Sequence, residues 1–444
     1  MTIIFDIGKT NKKCFIFDQN FNIVERIEEQ LPEVLDDDEF PCDDLIALKG
    51  WIFMTMHQLE KKGYDFDKIN FSAYGASLVH VNKFGTSHLP LYNYLKPMPD
   101  DVLDVLYERY PKDQLALETS SPPLGMLNSG FQLFWLKEKH FDYYMDIVHS
   151  LHLPNYLAYL FHDLPVADYT SIGCHTATWD FNSDDYHEWT FTMGISYLLK
   201  RPMPATTLFP SLNGRMQVGI GIHDSSAALL PYLVGEKEPF MLISTGTWSI
   251  VLNPFNQEPL TINELSQDCL QFLTVNGDKV KASRLFLGQE FSNQIAVINP
   301  VFGHTNGAFK QVAFDESLYQ KVKKENHKYF KLSSLGEDEL RDRNLKDISS
   351  FEEAYHQLIW ELVQYQAKSL KLALGKTTNI KTIYIDGGFA QNDVFCRMLK
   401  HEFPEFVWKK THLAAGSALG AAIAVNMDAF TEKHFNKILK VEEI

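Results

Sequence analysis

The sequence predicts an α/β protein built from two similar lobes that face each other across a cleft. Two observations carry this expectation. The chain opens with a strand, loop, strand, turn and strand, read from the apolar runs Ile3 to Phe5, Cys14 to Phe17, and a third through Ile23 and Val24. The same order returns as Phe240 to Ser244, the loop Thr245-Gly246-Thr247, and Trp248 to Asn253.

In both halves a helix then leads to a strand that ends at glycine. Residues 51 to 62 carry apolar side chains at helical spacing before INFSAYG, Ile69 to Gly75. In the second half a capping box, Ser350 and Glu353, opens the stripe Ala354, Tyr355, Leu358, Ile359, Leu362 and Val363. Thr382 to Asp386 follows and ends at Gly387-Gly388, with a further helix marked by Phe395, Met398 and Leu399. A length of 444 residues suits two lobes of roughly 200 each. The boundary is expected between 225 and 238, where the helical run Ala227 to Val234 meets GEKEP, giving lobes 1-228 and 229-444. The polar stretch 315 to 350 reads as a surface insertion with little bearing on chemistry.

Composition narrows the function classes. With 45% apolar and 22% charged residues the chain can bury a large core, which excludes general disorder. A net charge of -16 repels phosphate backbones and anionic lipid, so neither nucleic acid nor a membrane is an expected partner. Cys14, Cys42, Cys174, Cys269 and Cys396 are scattered and contain no C-x-x-C pair, which argues against a disulfide framework or structural zinc. Asp6 and Lys9 interrupt the N-terminus where a secretion signal needs its apolar stretch, so a cytoplasmic location is expected. Nothing in the sequence selects between a monomer and a homodimer.

Four segments can carry chemistry. DIGKTNKK, Asp6 to Lys13, joins two predicted strands; such a turn aims backbone N-H groups, the Thr10 hydroxyl and a lysine at phosphate, or is an ordinary hairpin turn. It is not a Walker A loop, which needs GxxxxGK[ST] before a helix. STGTW, Ser244 to Trp248, stands at the equivalent point of the repeat, with Thr245, Gly246 and Thr247 aligned to Gly8, Lys9 and Thr10. IDGGFAQND leaves the backbone bare at Gly387-Gly388, either for a nucleoside or to satisfy torsion angles. In GIGIHDSSAALLPYL, Asp224 is either a helix N-cap or a carboxylate that accepts a proton from an attacking hydroxyl. AAGSALGAAIAV, Ala414 to Val425, reads as a small-residue helix made for close packing.

In this order the segments resemble the FGGY carbohydrate kinases of the actin-like ATPase superfamily, in particular the rhamnulokinase-like branch. DIGKTNKK is similar to the first phosphate segment, STGTWSI to the second, YIDGGFAQND to the adenosine segment, VGIGIHDSSAA to the HD[ST] element, and DYTSIGCHTATWDFNSDDYHEW to the stretch that opens with a Tyr-Thr pair. The resemblance implies two duplicated actin-like (ribonuclease H-like) lobes and transfer of the γ-phosphoryl of ATP, with magnesium, to a primary hydroxyl of a small-molecule ketose. L-Rhamnulose is the expected substrate, with L-fuculose or a pentulose close behind. It further implies that Asp224 is the general base, that His223 and Ser225 touch the sugar, and that Asp6 supports magnesium through water. Gly8, Lys9, Thr10, Asn11 and Lys12 would face the γ-phosphate, and Thr245, Gly246 and Thr247 the β- and γ-phosphates. Gly387, Gly388, Asn392 and Asn293 would line the nucleotide site, while Tyr74, Gly75, Ala76, Ser77 and Gln132 would line the sugar site. The chain departs from the family pattern at Lys9, where a threonine or serine is usual, and at LPLYNYLKP, where an arginine-containing segment is usual. These departures leave a second reading open, a nucleotide-binding sensor that phosphorylates nothing.

Overall fold

The computed structural model describes residues 1-305, 307-336, 343-411 and 415-444. Its frame is two seven-stranded sheets. In the first, Thr2–Ile7, Lys12–Phe17 and Ile23–Glu29 form an antiparallel meander, because the turns at Gly8 and Asp18 are too short for any other connection. Lys68–Ala73 lies parallel to Thr2–Ile7, and Gln217–Gly219 and Ile222–His223 pair parallel to Lys68–Ala73. The second sheet repeats this with the meander Phe240–Thr245, Ser249–Asn253 and Lys279–Leu285, then Thr382–Gly387 and Val407–Lys410 in parallel. The expected duplication is therefore present. Superposing the last parallel pairs, Ile7 with Ala73 and Thr245 with Gly387, sets Gly246 on Gly8. That alignment is one residue off the expected one.

Several boundaries moved for local reasons. The helix expected over 51 to 62 runs Leu45–Lys61, because Asp44 caps it by accepting from Ile46 N and Ala47 N at 2.9 Å each. Ser350 caps Phe351–Leu374 through Glu353 N, but the Glu353 carboxylate turns to Ser349 and Lys321, so the capping box is half formed. The 315 to 350 stretch is not merely surface. Its helix Glu316–Glu325 buries Tyr319 and Val322 in the second-lobe core, and Ser334 N donates to Glu290 at 2.7 Å. The start of the small-residue segment, Ala414, lies outside the described residues.

Two helices join the lobes by exchange. Asp224–Gly235 leaves the last strand of the first sheet yet packs on the second, with the Tyr232 ring 5.1 Å from Tyr384 and its hydroxyl 2.7 Å from Thr411 Oγ1. Gly416–Ala424 leaves the second sheet and packs on the first, where Asn70 Nδ2 donates to Ala421 O at 2.9 Å and Lys68 Nζ to Val425 O at 2.8 Å. Between the sheets the two helices touch backbone to backbone: a Cβ on Gly420 would sit 1.8 Å from Ala227 O. One continuous buried cluster results, running from Ile4, Phe15 and Phe17 through both helices to Leu242 and Leu252. Gly420→Ala is expected to destabilise the protein by on the order of 3 kcal/mol, read as a lower urea midpoint, since the clash is with backbone that cannot rotate away. An unchanged midpoint contradicts the packing.

Candidate active site

Both exchanged helices begin at the same carboxylate. Asp6, at the end of the first strand, is pushed up to about 6, by burial first and then by the charge of Asp224, while the Ser417 hydroxyl and Lys13 pull the other way. Asp224 is the first residue of one helix and Ser417 stands in the first turn of the other. The alternative that Asp224 is the N-cap does not hold, because His223 occupies that position. The Asp224 Oδ1 atom is held by Ser225 N at 2.6 Å, Ser225 Oγ at 3.2 Å and His223 Nε2 at 3.2 Å. Its Oδ2 has no partner among the described residues, and the side chain is 35% exposed, so one oxygen is anchored and the other is offered to a ligand.

The first loop is tight, with Gly8 N donating to Asn11 O at 3.0 Å and Thr10 exposed. Its lysines are not aimed at a ligand. Lys9 Nζ donates to Asp43 at 2.7 Å and Glu33 at 2.9 Å, and the buried Lys12 Nζ donates to Asp43 at 2.6 Å and to Lys9 O at 2.8 Å. The expectation of a lysine point charge on phosphate is corrected: Asp43 holds both ammonium groups, and the loop presents backbone N-H groups and the Thr10 hydroxyl instead. Asn11 Oδ1 accepts from Gln30 Nε2 at 2.7 Å.

In the second loop Thr245 is buried, its Oγ1 donating to Asp386 O at 2.5 Å and accepting from Phe389 N at 3.0 Å. Thr245 therefore anchors the loop to the Gly387-Gly388 segment, and Gly246 and Thr247 are the exposed members. Gly387 has φ of 84°, and a Cβ there would lie 1.9 Å from Thr245 O, so the backbone contact requires glycine; Gly388 is open. Asn392 caps Asp393–Glu402 by accepting from Phe395 N at 3.1 Å. Asn293 is exposed on Leu287–Val301, accepting from Gln289 at 2.9 Å and donating to Ser334 Oγ at 3.3 Å.

At the expected sugar end, Tyr74 OH donates to Asp43 Oδ2 at 2.8 Å, joining this strand tip to the first loop. Gly75 lies against the Cys174 and His223 side chains, Ala76 turns the chain at φ of 61°, and Ser77 is buried with its carbonyl accepting from Leu153 N at 3.0 Å. Gln132 is fully buried and donates to Ala76 O at 2.7 Å and Met126 O at 2.6 Å. Gln132 Nε2 thus supports the turn from beneath, while its buried Oε1 has no partner among the described residues. Tyr94 approaches from the divergent LPLYNYLKP segment: burial pushes its hydroxyl up, and Lys9, Asp224 and Asp43 all act on it.

Sequence reasoning missed Asp43, Tyr94, Cys174 and Gly288. Asp43 is masked by Asp44, an evident helix cap, and Tyr94 carries no motif. Gly288 has a signal only in three dimensions, since its Cβ would lie 1.9 Å from Gly246 O.

Against this geometry, comparison with known proteins is informative. Residues 237-433 match the carbohydrate kinase FGGY C-terminal domain. The second lobe is thus similar to the C-terminal domain of the FGGY carbohydrate kinases. It is 22% identical over 234 residues to a rhamnulokinase of Oceanobacillus iheyensis, covering 49% of this chain and 48% of that one. Against a rhamnulokinase of Halalkalibacterium halodurans it is 22% identical over 282 residues, covering 56% and 55%. The chain spans about half the length of the curated relatives it matches. Its fold is that of a carbohydrate kinase from Novosphingobium aromaticivorans, with TM-score 0.79, 21% identity and coverage of 96% and 93%. It is also that of a xylulose kinase from Lactobacillus acidophilus, with TM-score 0.79, 14% identity and coverage of 100% and 93%. Among the described residues no helix is long and apolar enough to cross a membrane.

Removing the shared anion separates the two lysines. Asp43→Ala leaves the Lys12 ammonium buried and unpaired and should cost about 3–5 kcal/mol in urea unfolding, whereas Lys9→Met, which leaves Asp43 paired with Lys12, should cost at most about 1 kcal/mol. Equal costs contradict the assignment.

Proposed function

We propose that the protein transfers the γ-phosphoryl of ATP to a primary hydroxyl of a ketose, L-rhamnulose or a similar deoxyketohexose, with L-fuculose and pentuloses as the nearest alternatives. The observation that carries the proposal is the Asp224 carboxylate, anchored through Oδ1 by three donors with Oδ2 left free. A carboxylate so oriented accepts the hydroxyl proton as the oxygen attacks phosphorus. The similarity to two rhamnulokinases supports the choice of sugar. The reading gives lobe 1-228 the sugar and the first phosphate loop, and lobe 229-444 the nucleotide, in a reducing cytoplasm that suits five free, buried cysteines.

Gly8 N and Gly246 N close their own turns on Asn11 O and Trp248 O, which fixes the N-H groups of Lys9 to Asn11 and of Thr247 before any ligand arrives, so these can stabilise phosphate charge without reorganising. Asp6 and Asp224 are two carboxylates close enough to raise one proton affinity. That mutual repulsion fits a divalent cation, and Asp6 would hold magnesium through water. Magnesium would supply charge neutralisation at the phosphate oxygens.

A coupled ADP-release assay over L-rhamnulose, L-fuculose, xylulose, ribulose and glycerol tests the reading. Rhamnulose-dependent turnover is expected, together with a loss of about 10³-fold or more in kcat for Asp224→Asn at unchanged ATP affinity. No sugar-dependent turnover by the native protein, or full activity in the variant, overturns it.

A further inference from the structure

A thiol meets the proposed base through one imidazole. Cys174 lies just after the short helix Tyr169–Ile172, and its Sγ is 3.4 Å from His223 Nε2, the same nitrogen that stands 3.2 Å from Asp224 Oδ1. Both Cys174 and His223 are buried. The ring is confined on every side. Gly75 leaves it room, since a Cβ there would lie 3.1 Å from the sulfur and 3.2 Å from Nε2. Phe272 of the second lobe stands edge-on, with ring centroids 6.0 Å apart and planes at 87°. His223 N donates to Thr170 Oγ1 at 2.9 Å, and Nδ1 lies 3.4 Å from Ser226 Oγ. Were the thiol to donate to Nε2, that nitrogen would turn a lone pair toward the Asp224 carboxylate. Only a protonated Nε2 satisfies both neighbours.

We propose that Cys174 is a positioning residue for phosphoryl transfer: its sulfur shares the His223 Nε2 proton with Asp224 Oδ1, and so keeps the other carboxylate oxygen turned toward the hydroxyl to be phosphorylated. The inference rests on the kinase reading above and deepens it. Electrostatics agree with the geometry. Burial opposes ionisation of the Cys174 thiol, but His175 and His223 outweigh it and bring it down to about 5. Burial likewise opposes charge on His223, yet Cys174, Asp224 and Asp168 bring it up to about 9. The remaining titratable neighbour, His152, is pushed down to about 3 by burial and by the charges of His223 and His175, so it does not compete for the proton. Both shifts run in the direction of a thiolate and imidazolium pair placed directly behind the base.

The arrangement has a spectral signature independent of activity. Thiolate absorbance near 240 nm at pH 7 should fall by one equivalent in Cys174→Ala and by part of one in His223→Ala, where His175 still acts on the sulfur, relative to the native chain. In rhamnulose-dependent ADP release, Cys174→Ala should lose about tenfold in kcat, with KM for ATP and for sugar within threefold. The alkaline limb of its kcat profile should move down, as His223 loses the sulfur that does most to keep it protonated. Cys174→Ser, which can still accept from Nε2, should recover part of both effects. No thiolate at pH 7 overturns the proposal whatever the activity. A thiolate with unaltered kcat and pH profile in Cys174→Ala overturns the positioning role. A loss of kcat that follows only a lowered melting temperature does the same. A thiolate in a native protein that phosphorylates no sugar overturns the kinase reading and the positioning role together, and is told apart from the other outcomes by the native control.

Discussion

A backbone approach between the lobes that leaves no room for a Cβ, Gly420 against Ala227 O, is the constraint from which the site follows. Each exchanged helix crosses the other within a turn of its start, so its first residues cannot be displaced independently. One helix begins with Asp224, the other carries Ser417 in its first turn, and both act on Asp6 at the end of the first strand. Helix N-termini carry unsatisfied N-H groups and partial positive charge, so this crossing builds an anion-receptive corner out of packing alone. The small residues of Gly416–Ala424 are a steric condition for that corner.

The arrangement of charge around the first loop follows a separate logic. Lys9 adds a cation to this loop, and the structure absorbs it, together with Lys12, on one buried carboxylate, Asp43. Tyr74 donates to the same carboxylate. The loop expected to face phosphate and the turn expected to face sugar thus share a single anchor. A buried carboxylate with three donors is rigid, and rigidity at that point keeps backbone N-H groups oriented at the expense of lysine contacts.

Much of this was legible in the sequence, for identifiable reasons. The duplication could be read because strand, glycine turn and strand recur in the same order, and turn chemistry is local; the one-residue misalignment arose because the first turn has one residue more than the second. Asp224 stood out because Gly-rich backbone leads into a helix start at the lobe boundary. What could not be read were side-chain destinations. Lys9, Lys12, Thr245, Asn392 and Gln132 are all donors or acceptors in the right segments, yet each is committed to a protein partner that lies far away in sequence or caps a helix. Gly288 and Gly387 illustrate the same limit, since the backbone atoms that require glycine there belong to other segments. Local pattern identifies which stretches approach a site; tertiary contacts decide which atoms remain free.

A crystal structure of the full chain with magnesium and a non-hydrolysable ATP analogue tests the central claim most directly. The account predicts the triphosphate between residues 8–11 and 246–247, with the terminal phosphorus facing Asp224 Oδ2. Nucleotide seated elsewhere, for example in the cavity lined by Trp248, Arg284 and Lys368, would contradict it.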